Sequence, residues 1–339
     1  MTNPVTNPIA VEVLRDGRVE SFHHGSVAVC DAQGVVRLAC GDIESPIFPR
    51  SALKPIQALA LLETGAAKAF AVSDVELALA CASHNGEAPH VDAVTRWLSR
   101  LDLSEDALAC GAHWSLTESV TRAMARAGAQ PSDVHNNCSG KHAGMLTTAR
   151  HLGAETAGYE SVGHPVQIKV RDAISEMSGV DLGDAGAATD GCSVPAYAIP
   201  LAGLARAFAQ LSHIRDSQGV RGASCQRLVS AMASNPFMVA GTGRYCTNVI
   251  KAGNGKLLVK TGAEGVMAAA LPDLGVGVAV KIDDGARRAA EAAMAAVLLA
   301  VGSLPEQTRT CLRSYAAATV HNWRDQVVGT IRAAPGFPS

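Results

Sequence analysis

Strand-type alternation at both ends of this 339-residue chain, with helix-type spacing between them, limits its possible folds more than any other feature. Over residues 9–41 apolar and polar positions alternate around turn signals at Asp16-Gly17 and Asp31-Ala-Gln-Gly34, which predicts three antiparallel strands. Strand patterns return at residues 257–260 and 276–282, with a helical stretch expected between them at 263–270 and a long helix at 286–301. In the middle, Leu53, Ile56, Leu59, Ala60 and Leu62 recur at helical spacing, Pro55 fits only a first turn, and Gly65 stands where a stop belongs. Ser73-Asp-Val-Glu76 reads as a capping box opening a second helix. Further helices are expected at 89–101, 118–127, 141–152, 165–177, 200–211 and 225–233.

The expected architecture is therefore α/β of the α+β kind: one antiparallel sheet assembled from both termini and flanked by helices, plus a helix-rich lobe. Residues 1–70 and 240–339 form the sheet-containing part, 71–239 the lobe, and a cleft between them holds the site. With 48% apolar residues the chain can bury a substantial core. Lys plus Arg number 29 and Asp plus Glu 31, so there is no field to steer nucleic acid or hold an anionic membrane, and a small neutral or zwitterionic partner is expected. The segment 1–17 lacks the basic and apolar regions of a signal peptide, and 289–301 is short of the ~20 residues that span a bilayer. Nine scattered cysteines fit reduced thiols in the cytoplasm better than a disulfide framework.

One Ser-x-x-Lys occurs, Ser51-Ala-Leu-Lys54, where 24 serines and 8 lysines would give about half of one by chance, so the pair alone says little. Its place says more, because i and i+3 share a helix face and the amine can approach the hydroxyl at the positive end of a helix. Serine attacks only when a base takes its proton, and lysine serves as that base only when burial or a neighbouring cation lowers its pKa. Lys260-Thr-Gly262 supplies a second lysine at a strand end, and Ser83-His-Asn85 a second serine at a helix end. In this order the three elements resemble the S-x-x-K, S-x-N and K-T-G signatures of the serine β-lactamase and penicillin-binding group. The plainer alternative makes Ser51 a helix cap, Ser83 a polar core residue and Lys260 a strand-end charge.

Asn137-Cys-Ser-Gly-Lys-His-Ala-Gly144 opens a helix, and Asp190-Gly-Cys-Ser-Val-Pro195 follows a turn. Their thiols, lysine and histidine are metal-ligand candidates, although no C-x-x-C or H-x-x-x-H pair is present; capping by Ser139 with buried cysteines explains the pattern as well. With these blocks, Arg50-Ser-Ala-Leu-Lys-Pro55, Cys81-Ala-Ser-His-Asn-Gly-Glu87, His164-Pro-Val-Gln167 and Gly262-Ala-Glu-Gly265 the chain resembles, over nearly its whole length, the rhizobial-type L-asparaginases.

That resemblance implies a serine β-lactamase/glutaminase-like fold, a homodimer, and hydrolysis of L-asparagine through two Ser-Lys tandems, Ser51 with Lys54 and Ser83 with Lys260. It also implies a Zn2+ site made by Cys138, Lys141 and Cys192, with Arg50, His142 and Asp190 at the substrate. Thr261 and Ser193 stand where glycine is expected in many relatives. On this reading Lys54 activates Ser51, Ser83 and Lys260 pass the proton to ammonia, and backbone N–H groups beside Ser51 and after Lys260 hold the oxyanion. Rival readings are a glutaminase or dual amidohydrolase, one methylene away, and a non-catalytic zinc- or metabolite-binding protein. A nucleotide site is disfavoured, since Gly253-Asn-Gly-Lys256 lacks phosphate-loop spacing and Gly241-Thr-Gly243 reads as a turn.

Overall fold

The computed structural model describes residues 6–183, 186–213 and 219–338; the first five residues of the segment read above for a signal peptide lie outside them. The first strands are β1 (Ile9–Arg15), β2 (Arg18–Asp31), β3 (Val36–Cys40), β4 (Pro46–Ile47), β5 (Ala188–Thr189), β6 (Pro195–Ala196) and β7 (Ile199–Pro200). The C-terminal part adds β8 (Leu258–Thr261), β9 (Val266–Leu271), β10 (Val276–Ile282), β11 (Ala317–His321) and β12 (Val327–Ala333). The main sheet runs β11-β12-β1-β2-β10-β9-β8, and β3 also pairs with β2. Every pairing is antiparallel. The sheet is thus built from the two ends of the chain, as the alternation predicts.

The three N-terminal strands fall where expected, β2 pairing with β1 over its first half and with β10 and β3 over its second. The expected helix at 263–270 is instead strand β9. All six of its residues are buried between β8 and β10, so no inside–outside alternation marks it, and Ala268, Ala269 and Ala270 imitate a helix former. Sequence reading also passed over helices Tyr245–Gly253 and Glu306–Ala316 and the β11–β12 hairpin, whose β12 closes the sheet against β1.

Both faces of the central strands are covered. Successive residues Val278, Ala279 and Val280 of β10 point to opposite faces and are all fully buried. Helix Leu201–His213 packs on β2, β9 and β10, and helix Arg287–Val301 on β1, β9, β10 and β12. The first of these belongs to the 71–239 segment, so a helix from the helix-rich part is one cover of the sheet. Residues 287–301 form a largely buried helix, and among the described residues no helix is long and apolar enough to cross a membrane. All nine cysteines are free thiols.

Three helices position the site. Helix Asp74–Ala80 starts at the expected capping box: Ser73 Oγ accepts from Glu76 N at 3.3 Å and Glu76 Oε2 accepts from Ser73 N at 2.9 Å. Such a cap stabilises a helix start by about 1 kcal/mol. Helix Ser139–His151 crosses it closely at Gly140, where a Cβ would lie 2.5 Å from the Leu79 carbonyl oxygen, so no other residue fits without moving a helix. Helix Ala88–Arg100 packs beside it through the fully buried Trp97, whose Nε1 donates to Thr147 Oγ1 at 2.9 Å.

Candidate active site

Ser51 lies on a short 3-10 turn, Arg50–Leu53, which runs into helix Lys54–Gln57 with Pro55 in its first turn. The turn is reached through a left-handed Arg50, φ +52°, a conformation that costs energy for a side chain this large. Strand β8 fixes its position, because a Cβ on Gly262 would approach the Pro49 carbonyl oxygen to 2.5 Å. The glycine of Lys260-Thr261-Gly262 is what lets the serine-bearing turn rest against the strand carrying Lys260.

Ser83, not Ser51, is the hydroxyl on which the lysines meet. Residues 83–85 lie alongside 239–240, with Ser83 N donating to Val239 O at 3.0 Å and Asn85 N to Ala240 O at 2.9 Å. Lys260 Nζ donates to Ser83 Oγ at 2.8 Å and to Thr261 O at 2.8 Å. Lys54 Nζ reaches Ser83 Oγ at 3.1 Å, Ala82 O at 2.5 Å and both oxygens of Asn137 at 3.4 Å. Both ammonium-bearing side chains are almost fully buried. Burial first, and then the positive charge of Lys54, lowers the Lys260 pKa to about 7. Among the described residues Ser51 Oγ makes no hydrogen bond to either lysine. Of the backbone N–H groups expected to hold an oxyanion, that of Gly262 is already engaged by Val266 O at 2.7 Å.

Ser51 and Ser83 open on one cavity of about 280 Å³, lined also by Arg50, Cys138, Asp190 and Cys192. Asp190 leads the β5–β6 turn, which Ser193 completes at φ +74°, a left-handed position that explains why glycine suits it. Arg50 Nε and Nη2 both donate to Asp190 Oδ1, at 2.8 and 2.7 Å, and Gly191 N adds a third bond at 2.6 Å. Burial pushes the Asp190 carboxyl up, but the Arg50 hydrogen bond and the charges of Lys141 and Arg50 overcome it and hold it below the usual range.

Behind this pair, Lys141 Nζ donates to Cys192 Sγ at 2.9 Å, and Cys138 immediately precedes helix Ser139–His151 without a side-chain capping bond. Cys138 Sγ lies 3.0 Å from Asn137 Oδ1, and the proximity of the two thiols holds Cys138 well below its ordinary value and, together with burial, holds Cys192 above it. Burial opposes charge on Lys141, but Cys192, Cys138 and Asp190 outweigh it and hold its pKa above the ordinary value, so two sulfurs and a lysine nitrogen make a donor set a borderline-soft divalent cation accepts only in exchange for the Lys141 proton. Among the described residues no three His, Cys, Asp or Glu side chains gather as a metal site; the third donor here is a lysine.

Of the sequence candidates, Lys54, Lys141, Lys260 and His142 do not line the cavity. His142 is fully buried, shares a 2.5 Å hydrogen bond with the Tyr159 hydroxyl through Nδ1, and its Nε2 has no partner among the described residues. Burial, then the charges of Lys141 and Lys54, hold its pKa well below the usual value, so it is neutral. The cavity wall also contains residues the sequence did not single out: His113, Leu116, Arg244 and Arg287. His113 Nε2 accepts from Asn137 N at 3.0 Å while Nδ1 meets Trp114 O at 2.6 Å, so its tautomer is fixed. Arg244 follows the Gly241-Thr-Gly243 turn, and nothing in its spacing tied it to the serines.

Among known proteins, the curated set contains no match to this chain. Among solved structures, Mglu in its native form is 17% identical with a TM-score of 0.42; the alignment covers 85% of this chain, which spans only 59% of Mglu. A β-lactamase from Mycobacterium bovis is 14% identical with a TM-score of 0.42, over 86% of this chain and 94% of the other. Simvastatin synthase from Aspergillus terreus is 10% identical with a TM-score of 0.41, over 86% and 90%. A sequence model of one family, described as L-asparaginase II, matches residues 11–333 and so includes Ser51, Lys54, Ser83, Cys138, Lys141, Cys192 and Lys260. By that match over nearly its whole length, the chain belongs to the L-asparaginase II family.

Proposed function

We propose that this chain is an L-asparaginase, hydrolysing the side-chain amide of L-asparagine to L-aspartate and ammonia with Ser51 as nucleophile. The observation that carries the reading is the Ser83 hydroxyl held between Lys54 and Lys260, beside a cavity onto which Ser51 opens with no hydrogen-bond partner of its own among the described residues. A lysine with a pKa of about 7 is half neutral at neutral pH and can accept a proton. The Ser51 proton passes through Ser83 to Lys260, the Ser51 oxygen bonds to the amide carbon, and the C–N bond breaks as the proton returns to the leaving ammonia. Water then cleaves the Ser51 ester by the same relay, releasing the acid. Lys54 keeps Ser83 in place and keeps Lys260 neutral. Asp190, anchored through one oxygen by Arg50, turns its other oxygen to the substrate ammonium, and buried His142 positions the Lys141 helix.

A second reading makes Ser83 itself the nucleophile, and its favouring observation is the direct 2.8 Å bond to Lys260. The assay for the reaction is ammonia release from L-asparagine and L-glutamine side by side. Release from L-asparagine at least tenfold faster is expected; equal rates make the enzyme a dual amidohydrolase, since one methylene is worth only ~1–3 kcal/mol in a pocket, and release from neither removes the amidohydrolase reading.

Cys138, Lys141 and Cys192 would hold a zinc ion, which when bound supplies a fixed positive charge for orienting the substrate head group. Cys138→Ser and Cys192→Ser are expected to lower zinc content, measured by elemental mass spectrometry after dialysis against limiting zinc, at least tenfold. Full retention of metal in both variants would take the ion away from these residues.

A further inference from the structure

Three arginines face the cavity, and they differ in what neutralises them. Arg50 is paired with Asp190, and Arg287 lies 3.5 Å from Glu291. Arg244 has no carboxylate partner among the described residues. Its Nη1 donates to Asn85 Oδ1 at 2.7 Å and to the Ser83 carbonyl at 3.4 Å, both neutral acceptors. Its other N–H groups have no partner among the described residues, and none of them is sealed away from solvent.

The guanidinium is nevertheless held firmly. Asn85 Nδ2 donates to Glu87 Oε1 at 3.1 Å and to Thr242 O at 3.2 Å. Thr242 donates to both Glu87 oxygens at 2.7 Å, through its backbone N–H and its hydroxyl. The turn that delivers Arg244 and the loop that delivers Ser83 are thus locked together, and the Arg244 fork is fixed beside the reacting hydroxyls. Burial, and to a lesser degree Arg287, lower its pKa, while Cys246 and the more distant Glu291 favour its charge. A preorganised guanidinium on a cavity wall, with no carboxylate in direct contact among the described residues, is suited to a planar anion, above all a carboxylate.

We propose that Arg244 is the seat of the substrate's α-carboxylate, so that the cavity selects free α-amino acids over side-chain amides that lack this group. The proposal rests on the amidohydrolase reading and assigns its substrate a second anchor, opposite in sign to Asp190. The carboxylate on Arg244 and the ammonium near Asp190 hold the α-carbon between them and leave the side-chain amide free to meet Ser51. An asparagine inside a peptide has neither charge and is not a substrate.

L-aspartate and β-alanine, which differ only in the α-carboxylate, test it by calorimetric binding to wild type, Arg244→Gln and Arg244→Lys, with thermal melting as a check on folding. Wild type is expected to prefer L-aspartate by about 30- to 100-fold. Arg244→Gln brings that ratio to within about threefold, and Arg244→Lys, which keeps the charge and loses the fork, falls between. In turnover, Arg244→Gln raises KM for L-asparagine more than it lowers kcat, a split that a purely structural role does not produce. No preference in wild type, or an unchanged preference in a folded Arg244→Gln, overturns the assignment. Ammonia release with no dependence on Arg244 sinks the anchor alone, whereas Arg244-dependent binding without ammonia release sinks the hydrolase reading and keeps the anchor.

Discussion

Ser51→Ala lowers kcat for ammonia release by about 10⁴- to 10⁶-fold, the scale on which serine hydrolases lose turnover without their nucleophile. The fold is expected to stay intact. Ser51 is half-buried and its hydroxyl has no hydrogen-bond partner among the described residues, so its removal orphans nothing and stability changes by no more than about 0.5 kcal/mol. Ser83→Ala is expected to cost activity too, but by a different route. It takes the shared acceptor from Lys54 and Lys260, leaving two buried amines with fewer partners, and destabilises by about 1–3 kcal/mol. Loss of turnover therefore does not separate the two serines, and the covalent intermediate does. After rapid acid quench during turnover, peptide mass spectrometry should find the acyl group on Ser51. An acyl group on Ser83, or a Ser51→Ala variant with wild-type kcat, transfers the nucleophile role to Ser83.

The parts of the fold legible in the sequence are those whose burial is one-sided. β1 to β3 alternate because at least one face of each meets solvent for part of its length, and Ser73 to Glu76 declares a helix start through its own side chains. β9 was illegible because burial on both faces erases the alternation and leaves an alanine run that favours a helix. The site shows the same division. Ser51, Lys54, Ser83, Lys260, Cys138, Lys141 and Cys192 each sit in a local motif that depends on a turn, a helix start or a strand end. Which of them bond is decided across 29, 177 and 51 residues of chain, for Lys54 with Ser83, Lys260 with Ser83 and Lys141 with Cys192. Periodicity carries no information at those separations, so the spacing that pairs Ser51 with Lys54 on one helix face points at the wrong hydroxyl. Arg244 was hidden for a related reason: what marks it is that no carboxylate pairs with it among the described residues, and an absent partner leaves no motif.

The pH dependence of kcat/KM is expected to report Lys260. Burial and the Lys54 charge bring its pKa to about 7, so below that pH it carries a proton and cannot accept one from Ser83. The rate then falls about tenfold per pH unit below the midpoint and levels off above it, where Lys260 is neutral. Lys260→Arg puts a permanently charged, slightly longer side chain in its place that cannot become neutral, so it loses about 10²- to 10⁴-fold in kcat at pH 8 and no longer shows this limb. A second feature identifies the group more narrowly. Arg244 is one of the cations that depress the Lys260 pKa, so removing its charge in Arg244→Gln moves the midpoint upward, while changes at distant surface arginines leave it in place. A flat profile between about pH 5.5 and 8.5, or a limb that survives in Lys260→Arg, would take the base role from Lys260. The midpoint in Arg244→Gln then separates two accounts of that arginine. An upward shift with a raised KM is the signature of a guanidinium that both anchors the substrate and keeps the base deprotonated; a raised KM with an unmoved midpoint confines it to the anchor.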